Sequence, residues 1–481
     1  MDTQPRTQRH GSGWGLIPRP FSFEWTGPTT PVPWGRDPDA VEVDGRGVAV
    51  ELRQVTSPED LGSAAETHPW QVREAYGLEI SDRGIRLSYV DREGAHRGAW
   101  TLRRMVRAGG GVLPCARILD RPAYRWRGLG LDIARHFFPP ADLCRVMDVM
   151  EEVSLNVLHL HLSDDQGWRV EVPAQPRLVE ESSGGAVGGD PGGFLSQADL
   201  ALLEVEASRR GIALVPEVDV PGHTHAALHA LPDLNPRGCP PPAYTGTEVG
   251  FSTLSTQAPG TAAFLDAVID ALAPFAAHGL HVGGDEPHVT APGDYARLVG
   301  MALERVHDHN LRAVAWQEAA HLLAPGDLVQ VWDEREDLSE VAAAGRRGVG
   351  VLLSPASRIY LDMKYDPATR IGTTWMGTTE LRDSLEWDPR QIVPGLAGEA
   401  VEGVEACLWT ETVRDMEDLT LLLLPRLAAA AEVAWAGSGV GEWDSFRSRI
   451  LPLARSWHAR GLVWHPSPGV DWQEATGVTH H

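Results

Sequence analysis

From Arg127 onward the chain carries short, nearly continuous apolar runs separated by stretches of helical periodicity, and this alternation restricts the possible folds more than any other feature. A parallel strand covered by helices on both faces has no polar side, so it reads as an unbroken hydrophobic run. Eight such runs occur, at 128–133, 156–162, 212–218, 280–284, 313–316, 328–332, 349–353 and 404–409. Between the first two, Leu143, Val146, Met147, Met150 and Val153 recur at helical spacing behind Pro139 and Pro140, the mark of an amphipathic crossover helix. Eight strand–helix units predict an α/β chain closed into a (β/α)8 TIM barrel. Residues 354–402 break the pattern. They are rich in Pro, Gly and Trp with little periodicity, and loops of that length are usually functional.

A length of 481 residues exceeds one typical domain and suits a barrel with a smaller companion. Residues 1–30, rich in Gly, Pro and polar side chains, predict an irregular N-terminal arm. Residues 31–120 show paired strand patterns: 41–43 and 48–52 around a turn at 44–47, then 76–80 and 84–89 around 81–83, followed by a helical stretch near 98–106. These predict a small α+β domain, with the barrel occupying 121–481.

The 66 acidic and 42 basic side chains leave a net charge of −24, which repels phosphate backbones and anionic membranes; neither nucleic acid nor membrane is an expected partner. Four scattered cysteines without a C-x-x-C pair fit neither a zinc site nor a disulfide framework, and plain thiols are expected. The N-terminus has no apolar run of signal-peptide length and no uncharged stretch could span a bilayer, which predicts a soluble, cytoplasmic protein. The 17 tryptophans offer flat apolar faces that suit sugar rings as well as cores.

In a barrel of this kind the chemistry gathers just beyond the C-terminal ends of the strands. Polar residues do collect there: Arg135 and His136 after the first run, 163–168 after the second, Glu217, Asp219 and His223 after the third, Asp285 and Glu286 after the fourth, then Trp316, Trp332 and the 409–411 segment. Asp285 and Glu286 follow Gly283 and Gly284, where backbone can approach a ligand and mutual repulsion raises the pKa of one carboxyl, as a general acid requires. Alone, such a pair would fit a helix N-terminus offsetting its dipole. Its company on the other loops favours catalysis. Trp316, Trp332, Trp375 and Trp409 could likewise be core residues, but three of them end strand runs, which favours walls around a sugar and its acetamide methyl. His223 is a candidate partner for Asp164, and Arg135 can spread a planar donor fork over two neighbouring hydroxyls. Asp362 and Glu411 would accept from the remaining hydroxyls.

His159 and His161 share one face of a strand and could hold a metal, which makes a metal-dependent amidohydrolase the alternative reading. That chemistry needs further histidines on later strands, and the fifth and sixth runs end in tryptophan. A non-catalytic sugar-binding barrel is a second alternative, although it would be expected to have lost Glu286.

The stretches RGLGLDIARHF (127–137), NVLHLHLSDDQGW (156–168), VPEVDVPGH (215–223), HVGGDE (281–286), LWTE (408–411) and LPRLA (424–428) carry a resemblance to the family 20 glycoside hydrolases, the β-N-acetylhexosaminidases. The resemblance implies Glu286 as acid/base, Asp285 as the group orienting the acetamide N–H, Tyr360 as the donor to its oxygen, and Asp164 with His223 as support for Glu286. It implies Trp316, Trp332 and Trp409 as the acetyl pocket, Trp375 near the leaving group, and Arg135, Asp362 and Glu411 on hydroxyls. No metal or organic cofactor is implied, and the partner would be an oligosaccharide or glycoconjugate ending in N-acetylhexosamine. One departure is Trp316-Gln317-Glu318, where a Trp-Asp or Trp-Glu is more usual. Because consecutive side chains on extended backbone diverge, Asp285 and Glu286 are expected to be poorly placed to grip one anomeric centre from opposite faces, leaving the acetamide as nucleophile.

Overall fold

The computed structural model describes residues 14–35, 41–43, 45–61 and 68–476. Contacts divide the chain into two units: residues 126–430, and the described residues up to Arg125 together with those from Ala431 onward.

The second of these contains strands β1 (Ser22–Pro31), β2 (Val41–Val43), β3 (Arg46–Val48), β4 (Glu51–Gln54), β5 (Tyr76–Ser81), β6 (Gly84–Tyr89) and β7 (Val112–Asp120). Five of them form one sheet in the order β1-β7-β5-β6-β4, and β2 and β3 make a separate hairpin. Helix Arg92–Gly109 backs the sheet, starting from Asp91, whose carboxylate caps the Glu93 N–H, and stopping at the left-handed Gly110. Gly98 lets helix and sheet approach closely, since a Cβ there would collide with Leu87.

Strand β1 lies in a segment whose composition predicts an irregular arm. Phe23 and Trp25 are half-buried between exposed Ser22, Glu24 and Thr26, an alternation too short to stand out, and the pairing with β7 shifts register between Trp25 and Thr29 where Gly27 and Pro28 intervene. The C-terminal residues differ too: from Ala431 they group with this unit and not with the barrel. The cause is a set of buried polar pairs. Trp435 donates its indole N–H to Asp120 on β7 at 2.9 Å, and Glu432 is gripped by Arg449 at 2.6 Å.

The other unit is a closed barrel of eight parallel strands: β8 (Trp126–Asp132), β9 (Val157–His161), β10 (Ala213–Glu217), β11 (Leu280–His281), β12 (Ala313–Trp316), β13 (Leu328–Val331), β14 (Gly350–Leu353) and β15 (Val401–Leu408). β15 closes on β8 from Gly403↔Trp126 to Leu408↔Leu131. Its lower interior is apolar, with Trp126, Val157, Val215, Val314, Leu328 and Leu352 in one cluster. Higher up the filling turns polar. Glu405 accepts from Trp126 Nε1 at 2.6 Å and Gln330 Nε2 at 2.9 Å and meets His159 Nδ1 at 2.8 Å. Glu217 meets His161 Nδ1 at 2.6 Å and His281 Nδ1 at 2.8 Å, and accepts from Trp316 Nε1 at 2.9 Å. Burying these charges is tolerable only because each carboxylate finds several donors.

The 354–402 segment contains short helices at Ala356–Ile359 and Leu381–Leu385 and is tied down by one buried arginine. Arg426 donates to the carbonyls of Leu361, Met363, Thr379 and Leu422 at 2.6–3.1 Å and lies over the Tyr365 ring. Arg426→Ala removes this donor from all four carbonyls, of which Leu422 keeps the Tyr365 hydroxyl, and is expected to cost about 3 kcal/mol of stability, read as a lowered denaturation midpoint. Arg426→Lys should recover little of it, because an ammonium cannot reproduce a fork that serves several carbonyls.

Candidate active site

A cavity of about 600 Å³ opens at the C-terminal end of the barrel, within the usual size range of small-ligand sites. All twelve residues singled out in the sequence line it. Arg135 follows β8, Asp164 follows β9, His223 follows β10, and Asp285 and Glu286 follow β11. Trp316 ends β12 and Trp332 follows β13. Tyr360, Asp362 and Trp375 come from the segment after β14, while Trp409 and Glu411 follow β15. The lining also includes Thr247, Val249, Arg335 and Thr373, to which the sequence assigned no ligand role, and His161, which it considered only as a metal ligand. Arg335 sits in a run of charges that reads as a solvated face, and it lies over the Trp375 ring.

The adjacent carboxyls Asp285 and Glu286 owe their position to a break in β11. The strand ends at His281, and Gly283 and Gly284 take left-handed φ values of 70° and 104°. A Cβ on Gly283 would collide with the Asp219 carboxylate, so glycine is required there on two counts. Glu286 itself has φ of 44°, and His223 has 53°. Strain of this kind in residues other than glycine persists only where surroundings hold it, typically at functional sites. Because this backbone is not extended, the neighbouring side chains do not diverge as strand geometry predicts: Asp285 Oδ2 and Glu286 Oε2 lie 3.5 and 3.4 Å from the same nitrogen, His223 Nε2.

From His223 a relay runs into the barrel. Its Nδ1 is 3.1 Å from Asp164 Oδ1, and Asp164 Oδ2 meets Arg135 Nη2 and His161 Nε2, both at 2.8 Å. Burial disfavours charge on Asp164, but Arg135, His223 and His161 hold its carboxyl well below the usual range. The same burial opposes an imidazolium at His223, and Asp164 and Asp285 outweigh it, so that pKa is raised. Asp285 is pushed up to about 6. Burial is the leading cause, partly offset by His223, and repulsion from Glu286 comes after both, so the carboxyl–carboxyl repulsion expected from sequence is the lesser effect.

Indoles enclose the other side. Trp316 is 1% exposed, its N–H fixed by Glu217, and its ring centroid is 6.1 Å from that of Trp409. Trp332 stacks on Tyr360 at 6.4 Å, while Trp375, at 45% exposure, meets both of them edge-on at the mouth.

Arg135 has one arm committed to Asp164, and its Nε and Nη1 have no hydrogen-bond partner. Nη1 nevertheless lies 3.5 Å from Asp132 Oδ2, so both arms of the fork are paired with carboxylates, one by a hydrogen bond and one by charge alone. Asp362 Oδ1 and Glu411 Oε2 are also buried without partners. Burial followed by repulsion from Glu411 raises the Asp362 pKa, and burial likewise raises Glu411 against the pull of Arg135. Unpartnered polar atoms on residues that line a cavity are what a polyhydroxylated ligand would satisfy.

His159 and His161 are spoken for by carboxylates. His159 lies between Glu405 at 2.8 Å and Glu217 at 3.1 Å, and His161 between Glu217 at 2.6 Å and Asp164 at 2.8 Å. His159, Glu217 and His281 are close enough together to suit a metal, but Glu217 already bonds both rings. The donor set thus favours a packed ion network over the alternative metal centre.

A cavity at the barrel's C-terminal end that combines a cationic fork, several indoles and paired carboxyls after the fourth strand fits a barrel glycoside hydrolase. Residues 124–438 match the glycosyl hydrolase family 20 catalytic domain and residues 40–121 match domain 2 of the same family. The chain belongs to glycosyl hydrolase family 20. It is 47% identical over 404 residues to a β-N-acetylhexosaminidase of Cellulomonas fimi, covering 83% of this chain and 82% of that protein. Among solved structures it resembles the family 20 β-N-acetylhexosaminidase of Streptomyces coelicolor A3(2), with a TM-score of 0.85, 34% identity and coverage of 95% of this chain and 98% of that one. A mutant Streptomyces plicatus β-hexosaminidase in complex with its product GlcNAc matches at a TM-score of 0.85 and 33% identity, over 98% of this chain and all of the other.

Proposed function

We infer that the protein is an exo-β-N-acetylhexosaminidase, releasing terminal β-linked GlcNAc or GalNAc from the non-reducing end of an oligosaccharide or glycoconjugate with retention of configuration. The observation that carries this is the indole enclosure built beside Asp285: a plain sugar offers nothing to fill it, and an acetamide does. In the first step the acetamide oxygen attacks the anomeric carbon as the glycosidic C–O bond breaks. Glu286 gives its proton to the departing oxygen, and the Asp285 carboxylate stabilises positive charge on the acetamide nitrogen. In the second step water attacks the anomeric carbon, the bicyclic ring opens, and Glu286 takes the proton back. Asp164 and His223 hold Glu286, Tyr360 bonds the acetamide oxygen, and Arg135, Asp362 and Glu411 bind hydroxyls. The test is a release assay with aryl β-N-acetylglucosaminide, β-N-acetylgalactosaminide and β-glucoside side by side. Comparable cleavage of the glucoside would overturn the reading.

Two further results are expected. Asp285 acts as an anion, and its pKa is raised to about 6. The active form is therefore present above pH 6 and lost below it, and kcat/KM should fall by about tenfold per pH unit on the acid side. A profile flat down to pH 4 would contradict this role for Asp285. Prolonged chelation, in turn, should leave activity unchanged, whereas a loss restored by zinc would revive the metal-dependent reading of His159 and His161.

A further inference from the structure

The turn after β12, Gln317–Ala319, is not used in the mechanism above, yet it grips one wall of the pocket in two places. Gln317 Oε1 accepts from the backbone N–H groups of Trp332 at 2.9 Å and Asp333 at 3.1 Å, and Gln317 Nε2 donates back to the Asp333 carbonyl at 3.1 Å. The next residue takes the side chain: Trp332 Nε1 donates to Glu318 Oε1 at 3.2 Å, with Oε2 at 3.4 Å. Trp316, the last residue before the turn, is itself pinned by Glu217. One short turn thus links two indoles that line the cavity, Trp316 at its start and Trp332 through Gln317 and Glu318. Burial, reinforced by Asp285, raises the Glu318 pKa to about 8, and either carboxyl oxygen is placed to accept the indole N–H.

We propose that Glu318 is a positioning residue which, with the Gln317 clamp, fixes the Trp332 indole and thereby sets the width of the acyl pocket, selecting N-acetyl over larger N-acyl groups. This deepens the hexosaminidase reading and rests on it. An indole has two rotatable bonds and a donor that must be satisfied when buried. Without the Glu318 acceptor the ring turns toward another partner, the wall moves outward, and the acetyl group is held less firmly against the anomeric carbon. A tight apolar pocket discriminates one methylene by roughly 10–200-fold, so the ratio between acyl homologues responds sensitively to such a movement.

The experiment compares wild type, Glu318→Gln and Glu318→Leu on aryl N-acetyl-, N-propionyl- and N-butyryl-β-glucosaminides, with kcat and KM measured separately. Glu318→Gln retains a neutral carbonyl acceptor and should keep the wild-type ratio of acetyl to propionyl. Glu318→Leu should lose about tenfold in kcat/KM on the acetyl substrate, mainly in kcat, and narrow the acetyl-to-propionyl ratio by about tenfold. Glu318→Ala provides the same test should the leucine variant not fold. Equal losses on all three substrates, or an unchanged ratio in an active Glu318→Leu or Glu318→Ala enzyme, would overturn the proposal, because a purely structural role lowers activity without changing selectivity. Wild type that fails to cut the N-acetyl substrate would overturn the hexosaminidase reading itself.

Discussion

Glu286→Gln should lower turnover of natural oligosaccharides by about 10²–10⁴-fold, the usual worth of general acid catalysis, while barely slowing the first step on an aryl glycoside with a good leaving group. An activated phenolate departs without a proton, so removing the donor matters little there. The second step still needs a base to deprotonate water, so release from the intermediate should slow on both substrate types, and added azide, which needs no deprotonation, should restore it. The geometry makes Glu286 the residue to test. It holds a left-handed φ of 44°, and its Oε2 lies 3.4 Å from His223, whose other nitrogen rests on Asp164. Equal losses in the first step, read as kcat/KM, on aryl and oligosaccharide substrates would refute the assignment.

Removal of the relay should act less directly than removal of the acid, and the reason shows what a sequence can reveal. Asp164 and His223 are legible because each stands just beyond a strand run, and strands buried on both faces are the clearest signal in the chain. The strand limits are less so. The fourth run reads as 280–284, yet β11 stops at His281, because Gly283 and Gly284 turn out of the ladder to present the carboxyls. What the sequence hides is partnership across the barrel. Glu217 and Trp316 are 99 residues apart and Glu405 and His159 are 246 apart, so neither buried carboxylate announces its role from local pattern. The Glu318–Trp332 contact spans only 14 residues but joins two neighbouring strands, and no periodicity encodes it. Strand β1 is obscured for the opposite reason: Gly27 and Pro28 break a short alternation, and pairing with β7 resumes at Thr29 only after a shift of register.

The steepest dependence expected of this enzyme is on its substrate. Replacing the acetyl group by mono-, di- and trifluoroacetyl should reduce turnover progressively, by on the order of 10²–10³-fold over the series, comparable with losing one main electrostatic contribution to the transition state. Fluorine withdraws electrons from the amide oxygen, so an oxygen that attacks the anomeric carbon becomes a poorer nucleophile with each substitution. Were a protein carboxylate the nucleophile, the change would lie remote from the reacting bond and the series would be nearly flat. Ordinary retaining glycosidases place their two carboxyls ~5–5.5 Å apart on opposite sides of the anomeric carbon. Here Asp285 and Glu286 converge on one nitrogen of His223, at 3.5 and 3.4 Å, an arrangement that gathers them on the same side of the pocket. Trp316, Trp332, Tyr360 and Trp409 also line the cavity, and the further carboxylates there, Asp164, Asp362 and Glu411, are those assigned above to supporting Glu286 and to binding hydroxyls. An acetamide folded into that enclosure brings its own oxygen to the anomeric carbon, with Asp285 beside its nitrogen. A thiazoline mimic of the resulting bicycle should then inhibit strongly. A flat fluorinated series, or a glycosyl ester trapped on a protein carboxylate, would refute this mechanism even in an enzyme that cleaves N-acetylhexosaminides.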